Sequence, residues 1–200
     1  MKKLIVFLAA TILFTSFTKE GGYQVGDKAA DFKLKNIDDK LFSLADQKDA
    51  KGFIVIFTCN HCPYAVKYED RIVALNDKYE KLGYPVVAIN PNDPVAYPDD
   101  NFANMKKRAK SKSFTFPYLV DETQGIAKIY GASKTPHAFV LRREGTDLIV
   151  KYIGAIDDNT EDASAAKEKY VEQAVDALLA GKTVTTTSTK AIGCGIKWKK

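Results

Sequence analysis

Cysteine, histidine, methionine and tryptophan are all scarce in this chain: three Cys, two His, two Met and one Trp among 200 residues. Three cysteines are too few to staple a small loop-rich fold, so an apolar core must do the holding, and the length suffices for one such domain. One Cys-x-x-Cys pair with no second pair leaves a tetrahedral zinc shell incomplete. Charge of one sign is missing as well. The net charge is only +5, and the lysines are scattered apart from a small cluster at the C-terminus. A basic stripe for nucleic acid is therefore excluded. Nowhere does an apolar run reach the roughly 20 residues of a comfortable membrane span.

The longest such run, Leu4 to Phe14, follows Met1-Lys2-Lys3 and precedes Thr15-Ser16-Phe17-Thr18. A positive start, a short apolar stretch and small residues after it predict an export signal over residues 1–18. No Ala-x-Ala cleavage site is present, which leaves an uncleaved tether as the second reading. Removing residues 1–18 takes away Lys2 and Lys3, so the charge falls from +5 to +3. The expected place is the periplasm or the outside of the cell, where a cysteine pair can persist as a disulfide or cycle with partners. The mature chain is expected to carry no stable membrane span, and its oligomeric state is left open.

What is present is concentrated in Thr58-Cys59-Asn60-His61-Cys62-Pro63-Tyr64. The apolar run Phe53 to Phe57 before it reads as a buried strand. After it, Ala65, Tyr68, Ile72, Leu75, Tyr79 and Leu82 recur at spacings of three and four, a helical stripe ending near Gly83. Cys62 thus falls at the first helical turn, where the dipole favours a thiolate. The thiolate is the nucleophile, and such settings lower a cysteine pKa from about 8.5 to roughly 3.5–7.5. Cys59, as the exposed N-terminal cysteine, is expected to attack, and Cys62 to resolve. His61 beside them would stabilise the Cys59 thiolate and raise the oxidising power of the pair.

Elsewhere, Phe32 to Lys35 predicts an edge strand and Leu41 to Leu44 a segment pairing back. Tyr84 to Asn90 predicts a second apolar strand, parallel to the first. Asp99 or Asp100 is expected to cap a helix bearing Phe102, Met105 and Ala109. Asp121 to Ala132 suggests a short helix, and Ala138 to Leu141 with Leu148 to Ile153 a hairpin. Glu161 and Asp162 are expected to open a last helix through Ala163, Ala166, Tyr170, Ala174 and Leu178, closed by Gly181. Thr183 to Thr189 reads as a linker to a tail holding Cys194 and Trp198. This divides the chain into a signal (1–18), one domain (23–181), and a Thr/Ser-rich linker with its tail (182–200). The alternation of strands and helices predicts an α/β fold with a mixed central sheet flanked by helices.

The order of strand, Cys59-Asn60-His61-Cys62, helix, strand, Thr135-Pro136, hairpin and helix resembles the thioredoxin-fold superfamily. More narrowly it resembles the peroxiredoxin-like proteins related to alkyl hydroperoxide reductase and thiol-specific antioxidant. Phe116 to Gln124, Tyr130-Gly131-Ala132, Tyr152 to Asp158 and Gly193 to Trp198 extend the resemblance over roughly residues 23–200. It implies a thioredoxin-like fold and a redox class, with Pro136 in the cis form against the cysteines and the Thr135 backbone placed to pair with an extended substrate strand. The sequence departs from the pattern at three points. Val55 and Cys59 stand where a peroxidatic motif ending at Cys62 has Pro and Thr/Ser. Phe53 stands where thioredoxin has a buried Asp, and Thr58 where it has Trp.

The first expectation is therefore an exported thiol–disulfide oxidoreductase using Cys59, Cys62, His61, Thr135 and Pro136, with a protein or small-molecule thiol as partner and no metal or organic cofactor. A thiol peroxidase stands second, with the missing Pro/Thr pocket against it. A copper metallochaperone holding Cu(I) through Cys59, Cys62 and His137, with His61 as a further candidate ligand, stands third. Cys194 is read as a tail residue without a partner, ahead of a resolving cysteine. Glu69, Asp121 and Glu122 are read as solvated caps or faces.

Overall fold

A computed structural model describes residues 21–200, so the expected signal lies outside the described residues. The chain runs β1 (Lys28–Ala29), β2 (Lys33–Asn36), β3 (Leu41–Ser43), β4 (Gly52–Phe57), α1 (Pro63–Tyr79), β5 (Val86–Asn90), α2 (Phe102–Ser111) and β6 (Tyr118–Val120). It continues with α3 (Gly125–Tyr130), β7 (Lys134–Thr135), β8 (His137–Glu144), β9 (Asp147–Gly154), α4 (Tyr170–Leu179) and β10 (Cys194–Gly195). The main sheet has the order β1-β9-β8-β4-β5-β6-β2-β3, and β7 pairs with β10 apart from it. β4, β5 and β6 are parallel neighbours, while β8 runs antiparallel to β4. This is a mixed sheet with helices on both faces, the thioredoxin-like arrangement.

The central strand explains its own sequence. Side chains alternate across a sheet, so a strand covered on both sides must be apolar throughout. Ile54 and Ile56 face a core shared with Tyr68, Ile72 and Tyr79 of α1, Met105 of α2 and Val171, Val175 and Leu178 of α4. Phe53, Val55 and Phe57 face the other way, onto Ala127 and Tyr130 of α3 and onto Phe139 and Leu141. Phe139 packs edge-on to Phe57 and Tyr130, with ring centroids 5.7 and 5.3 Å apart. Phe139→Ala is expected to cost about 3–5 kcal/mol, the usual range for emptying such a site. Urea unfolding checks this, and a loss below about 1 kcal/mol would contradict the packing.

Several boundaries differ from the sequence reading. The edge strand is β3, with β2 one place inside it. The last helix starts at Tyr170 rather than Glu161: Asp162 caps only a short 3-10 turn, Ala163–Ala165, inside a loop over residues 157–169 tied by polar contacts. Arg71 on α1 donates to both Asp157 oxygens (2.9 and 2.7 Å), and Asp158 N–H bonds Glu168 O. Glu69 and Asp121 are buried, not solvated. Glu69 takes a two-pronged ion pair from Arg108 (2.5 and 2.9 Å) that ties α2 to α1, whereas Asp121 accepts the Ala127 N–H inside α3. Glu122 is exposed, as expected.

The largest correction concerns residues 182–189, which do not hang free. Val184 is buried in the core on the α1 side of the sheet. Ile153 N–H bonds Thr187 O, Thr189 N–H bonds Ile153 O, and the Thr189 hydroxyl meets the Tyr152 hydroxyl at 2.6 Å. The segment is laid beside β9 through a single parallel bridge, Ile153 to Ser188, rather than left as free linker. The segment delivers the tail to the site.

Candidate active site

β4 ends by aiming its backbone at the helix that follows. Thr58 N–H continues the pairing to β5 through Ile89 O (2.8 Å), and the chain then turns through Cys59-Asn60-His61-Cys62. Cys62 is the N-cap of α1, with extended backbone angles, and Pro63 sits in the first turn, where its missing N–H costs nothing. Both cysteines are buried, Cys59 2% exposed and Cys62 0%. Cys59 is thus not the exposed residue its place in the motif predicts. What covers it is the rest of the site.

Opposite the cysteines lies the Thr135–Pro136 turn, with the cis bond the resemblance implied. The Thr135 hydroxyl is 3.2 Å from Cys59 Sγ, and its carbonyl oxygen is 3.3 Å from Cys62 Sγ. Cys194 completes the cluster and overturns its reading as an unpartnered tail residue. It forms a disulfide with Cys62, with Cα atoms 6.0 Å apart, and Cys59 is left as the free thiol. The disulfide therefore does not close the Cys59–Cys62 ring. β10 lies antiparallel to β7, with Cys194 opposite Thr135.

The tail is clamped beyond the disulfide. Ile196 is buried and its N–H bonds Ser133 O (3.2 Å). Lys197 N–H bonds Asn92 Oδ1 (2.9 Å), and Lys197 O accepts from Asp93 N–H (2.9 Å) and Gln124 Nε2 (2.8 Å). Lys199 N–H bonds Gln124 Oε1 (2.8 Å).

Beneath the cysteine loop stands Asp100, one of the two residues, with Asp99, whose place predicts a helix cap. Asn101 is the N-cap of α2, accepting from Asn104 N–H, and this frees Asp100 to turn inward. Its carboxylate accepts Asn60 N–H (2.7 Å) and Asn92 Nδ2 (2.8 Å) and lies 2.5 Å from His61 Nδ1. The imidazole stacks on Tyr97, with ring centroids 4.8 Å apart. His61 therefore faces the carboxylate and Tyr97 rather than acting on Cys59 alone. A buried carboxylate thus stands near Cys59, brought there by an element outside the cysteine loop. Nothing in the local pattern Asp99-Asp100-Asn101 distinguishes it from a cap.

Cys59 feels two opposing sets of groups. Its pKa is pushed up to about 11, chiefly by burial, with the Asp100 charge adding to it. The Thr135 hydroxyl and the Cys62 and His61 backbone N–H groups pull the other way without prevailing. In this closed form Cys59 is a neutral thiol, contrary to the His61-stabilised thiolate expected at that position.

His137 points into the sheet, not at the cysteines. It pairs with Phe57 across β4 and β8, its ring lies 4.8 Å from Phe139, and Ser133 N–H approaches its Nδ1 at 3.4 Å. Burial lowers its pKa to about 4. The unfolded chain takes up a proton below about 6.5, while the fold resists until about 4. The contribution to stability is complete above 6.5 and is lost as pH falls through that window, by at most about 3 kcal/mol. His137→Phe is expected to flatten the pH dependence of unfolding free energy between pH 6.5 and 4. An unchanged slope would contradict this placement.

Among the described residues, ligand atoms of Cys59, His61 and Asp100 lie within 4.8 Å of one another. This is a different set from the Cys59, Cys62 and His137 of the copper reading. The Asp100 oxygens are already taken by Asn60, His61 and Asn92, so the group reads as a hydrogen-bonded cluster. No helix among the described residues is long and apolar enough to cross a membrane.

The sheet, the cysteine loop at the head of α1 and the cis-proline turn facing it define a thioredoxin-fold protein with a sulfur-based site. Within that class, the chain belongs to the AhpC/TSA family, whose model matches residues 25–153. It is 26% identical over 145 residues to the thiol-disulfide oxidoreductase ResA of Geobacillus thermodenitrificans, covering 71% of this chain and 77% of that protein. Over 143 residues it is 27% identical to the thioredoxin-like protein YneN of Bacillus subtilis, covering 71% and 79%. Two solved structures align with a TM-score of 0.81. One is a hypothetical protein of Sinorhizobium meliloti, 37% identical over 89% of this chain and 96% of that one. The other is an uncharacterized conserved protein of Geobacillus kaustophilus, 38% identical over 88% and 93%.

Proposed function

We propose that this protein is an exported thiol–disulfide oxidoreductase, exchanging disulfides with a protein or small-molecule thiol partner through Cys59 and Cys62. The observation that carries this reading is the free Cys59 thiol held beside Cys62 at the head of α1, with the Thr135 hydroxyl and two backbone N–H groups aimed at its sulfur. The same donors that steady the thiol also stabilise a thiolate once burial is relieved. The Cys59 thiolate attacks a substrate disulfide, releases one substrate thiol and leaves a mixed disulfide. Cys62 then attacks the Cys59 sulfur and frees the second substrate thiol. Thr135 and Pro136 line the approach.

Likeness to proteins named ResA supports the reaction class, and the pattern of residues 1–18 supports export. Cys62→Ser combined with Cys194→Ser leaves Cys59 as the sole thiol and is expected to accumulate a mixed disulfide with its partner. Non-reducing electrophoresis with mass mapping reads this out. Absence of an adduct on Cys59 would sink the proposal.

A further inference from the structure

We propose that Cys194 is a third redox-active cysteine, whose sulfur displaces Cys59 from a Cys59–Cys62 disulfide and then meets the incoming reductant. This rests on the exchange reading above. Three observations carry it. The disulfide found is Cys62–Cys194, with Cys59 free, so the sulfur of Cys62 has a second bonding partner built into the chain. The tail reaches it as a docked strand: Cys194 stands opposite Thr135, where a substrate strand would pair, and Ile196 and Lys197 are held beyond it. The dock is also fitted to its sequence. A Cβ on Gly193 would fall inside the Thr135 carbonyl and 3.0 Å from the Pro136 nitrogen, so only glycine passes there.

Exposure then assigns direction. Cys59 and Cys62 are covered, whereas Cys194 is half-buried, so an outside thiol meets Cys194 first. The steps balance. The Cys194 thiolate attacks Cys62 Sγ; the Cys59–Cys62 bond breaks, the Cys62–Cys194 bond forms, and the proton lost by Cys194 ends on Cys59. No oxidant is consumed. Next, a thiolate of a dithiol reductant attacks Cys194 Sγ and expels Cys62 as a thiolate at the head of α1. The second reductant thiol closes on the first, freeing Cys194. The chain gains two electrons and two protons, and the reductant leaves as a disulfide. The docked tail is thus the closed, resting form, and its reduction removes the covalent hold at Thr135 while the hydrogen bonds of Ile196, Lys197 and Lys199 remain.

Peptide mapping of the full chain tests this. The reduced protein is mixed with oxidised glutathione, quenched in acid at intervals and alkylated. Adducts or a disulfide at Cys59 are expected early and Cys62–Cys194 with alkylated Cys59 at the end. Gly193→Ala, which keeps every thiol, is expected to shift that endpoint at least tenfold toward Cys59–Cys62. Oxidised wild type given reduced glutathione is expected to carry it on Cys194. A wild-type endpoint of Cys59–Cys62 with Cys194 alkylated throughout overturns the relay and leaves the exchange reading standing, and glutathione on Cys62 overturns the reductant step. No oxidation of any cysteine overturns both readings.

Discussion

Cys59→Ser is expected to lower disulfide exchange by on the order of 10³-fold or more, the scale on which losing a nucleophile acts. A serine hydroxyl does not ionise in the working range and cannot attack a disulfide. Cys62 cannot take over, because it is fully buried at the head of α1 and out of reach of an incoming disulfide. The fold should survive, since serine at this position keeps a polar atom near the Thr135 hydroxyl. The variant is therefore expected to unfold close to wild type and to retain the Cys62–Cys194 disulfide while losing turnover. A rate above about a tenth of wild type would move the nucleophile elsewhere.

The second large effect is expected at Asp100, and it has two readouts of opposite sense. Asn keeps one acceptor oxygen where the carboxylate offers two. Asn60 N–H uses one oxygen of Asp100, while His61 and Asn92 share the other, so the amide must turn a donor toward one of these partners. A buried group left in that state, together with loss of bonds to a charge, costs about 2–3 kcal/mol. Asp100→Asn should therefore lower stability by that amount. It should also remove the negative charge that helps hold Cys59 protonated. The pH midpoint for alkylation of Cys59 should fall, and at a pH well below that midpoint the thiolate fraction, with the alkylation rate, should rise in proportion. Iodoacetamide rates against pH read the second effect separately from unfolding. An unchanged midpoint would mean that the carboxylate only braces the loop.

The parts of this protein that were legible in its sequence are those set by local periodicity. β4 and α1 stand out because a doubly covered strand is apolar at every position and a helix covered on one side repeats at three and four. Cys59, Cys62 and the Thr135–Pro136 turn were legible as a constellation, through the order of elements around them. Asp100 was not, because an acidic residue before a helix is first read as a cap, and only the neighbouring Asn101 taking that role turns it inward. The tail was misread for a related reason. Thr183 to Thr189 has linker composition, yet pairing beside β9 is a long-range event that composition does not carry. Cys194 then followed the linker into the wrong assignment, and with it the closed state of the site. Gly193 held a clue, since its missing side chain is what lets the strand approach Thr135.

The central claim is that this site exchanges disulfides rather than reducing peroxide. The measurement that tests it most directly compares thiol loss from the fully reduced chain on mixing with a model disulfide and with hydrogen peroxide. The account predicts rapid loss to the disulfide and loss to peroxide no faster than that of an unactivated cysteine. A peroxide rate far above that level, with slow reaction toward the disulfide, would contradict it and make Cys59 or Cys62 a peroxidatic residue in a pocket without the Pro and Thr of that motif.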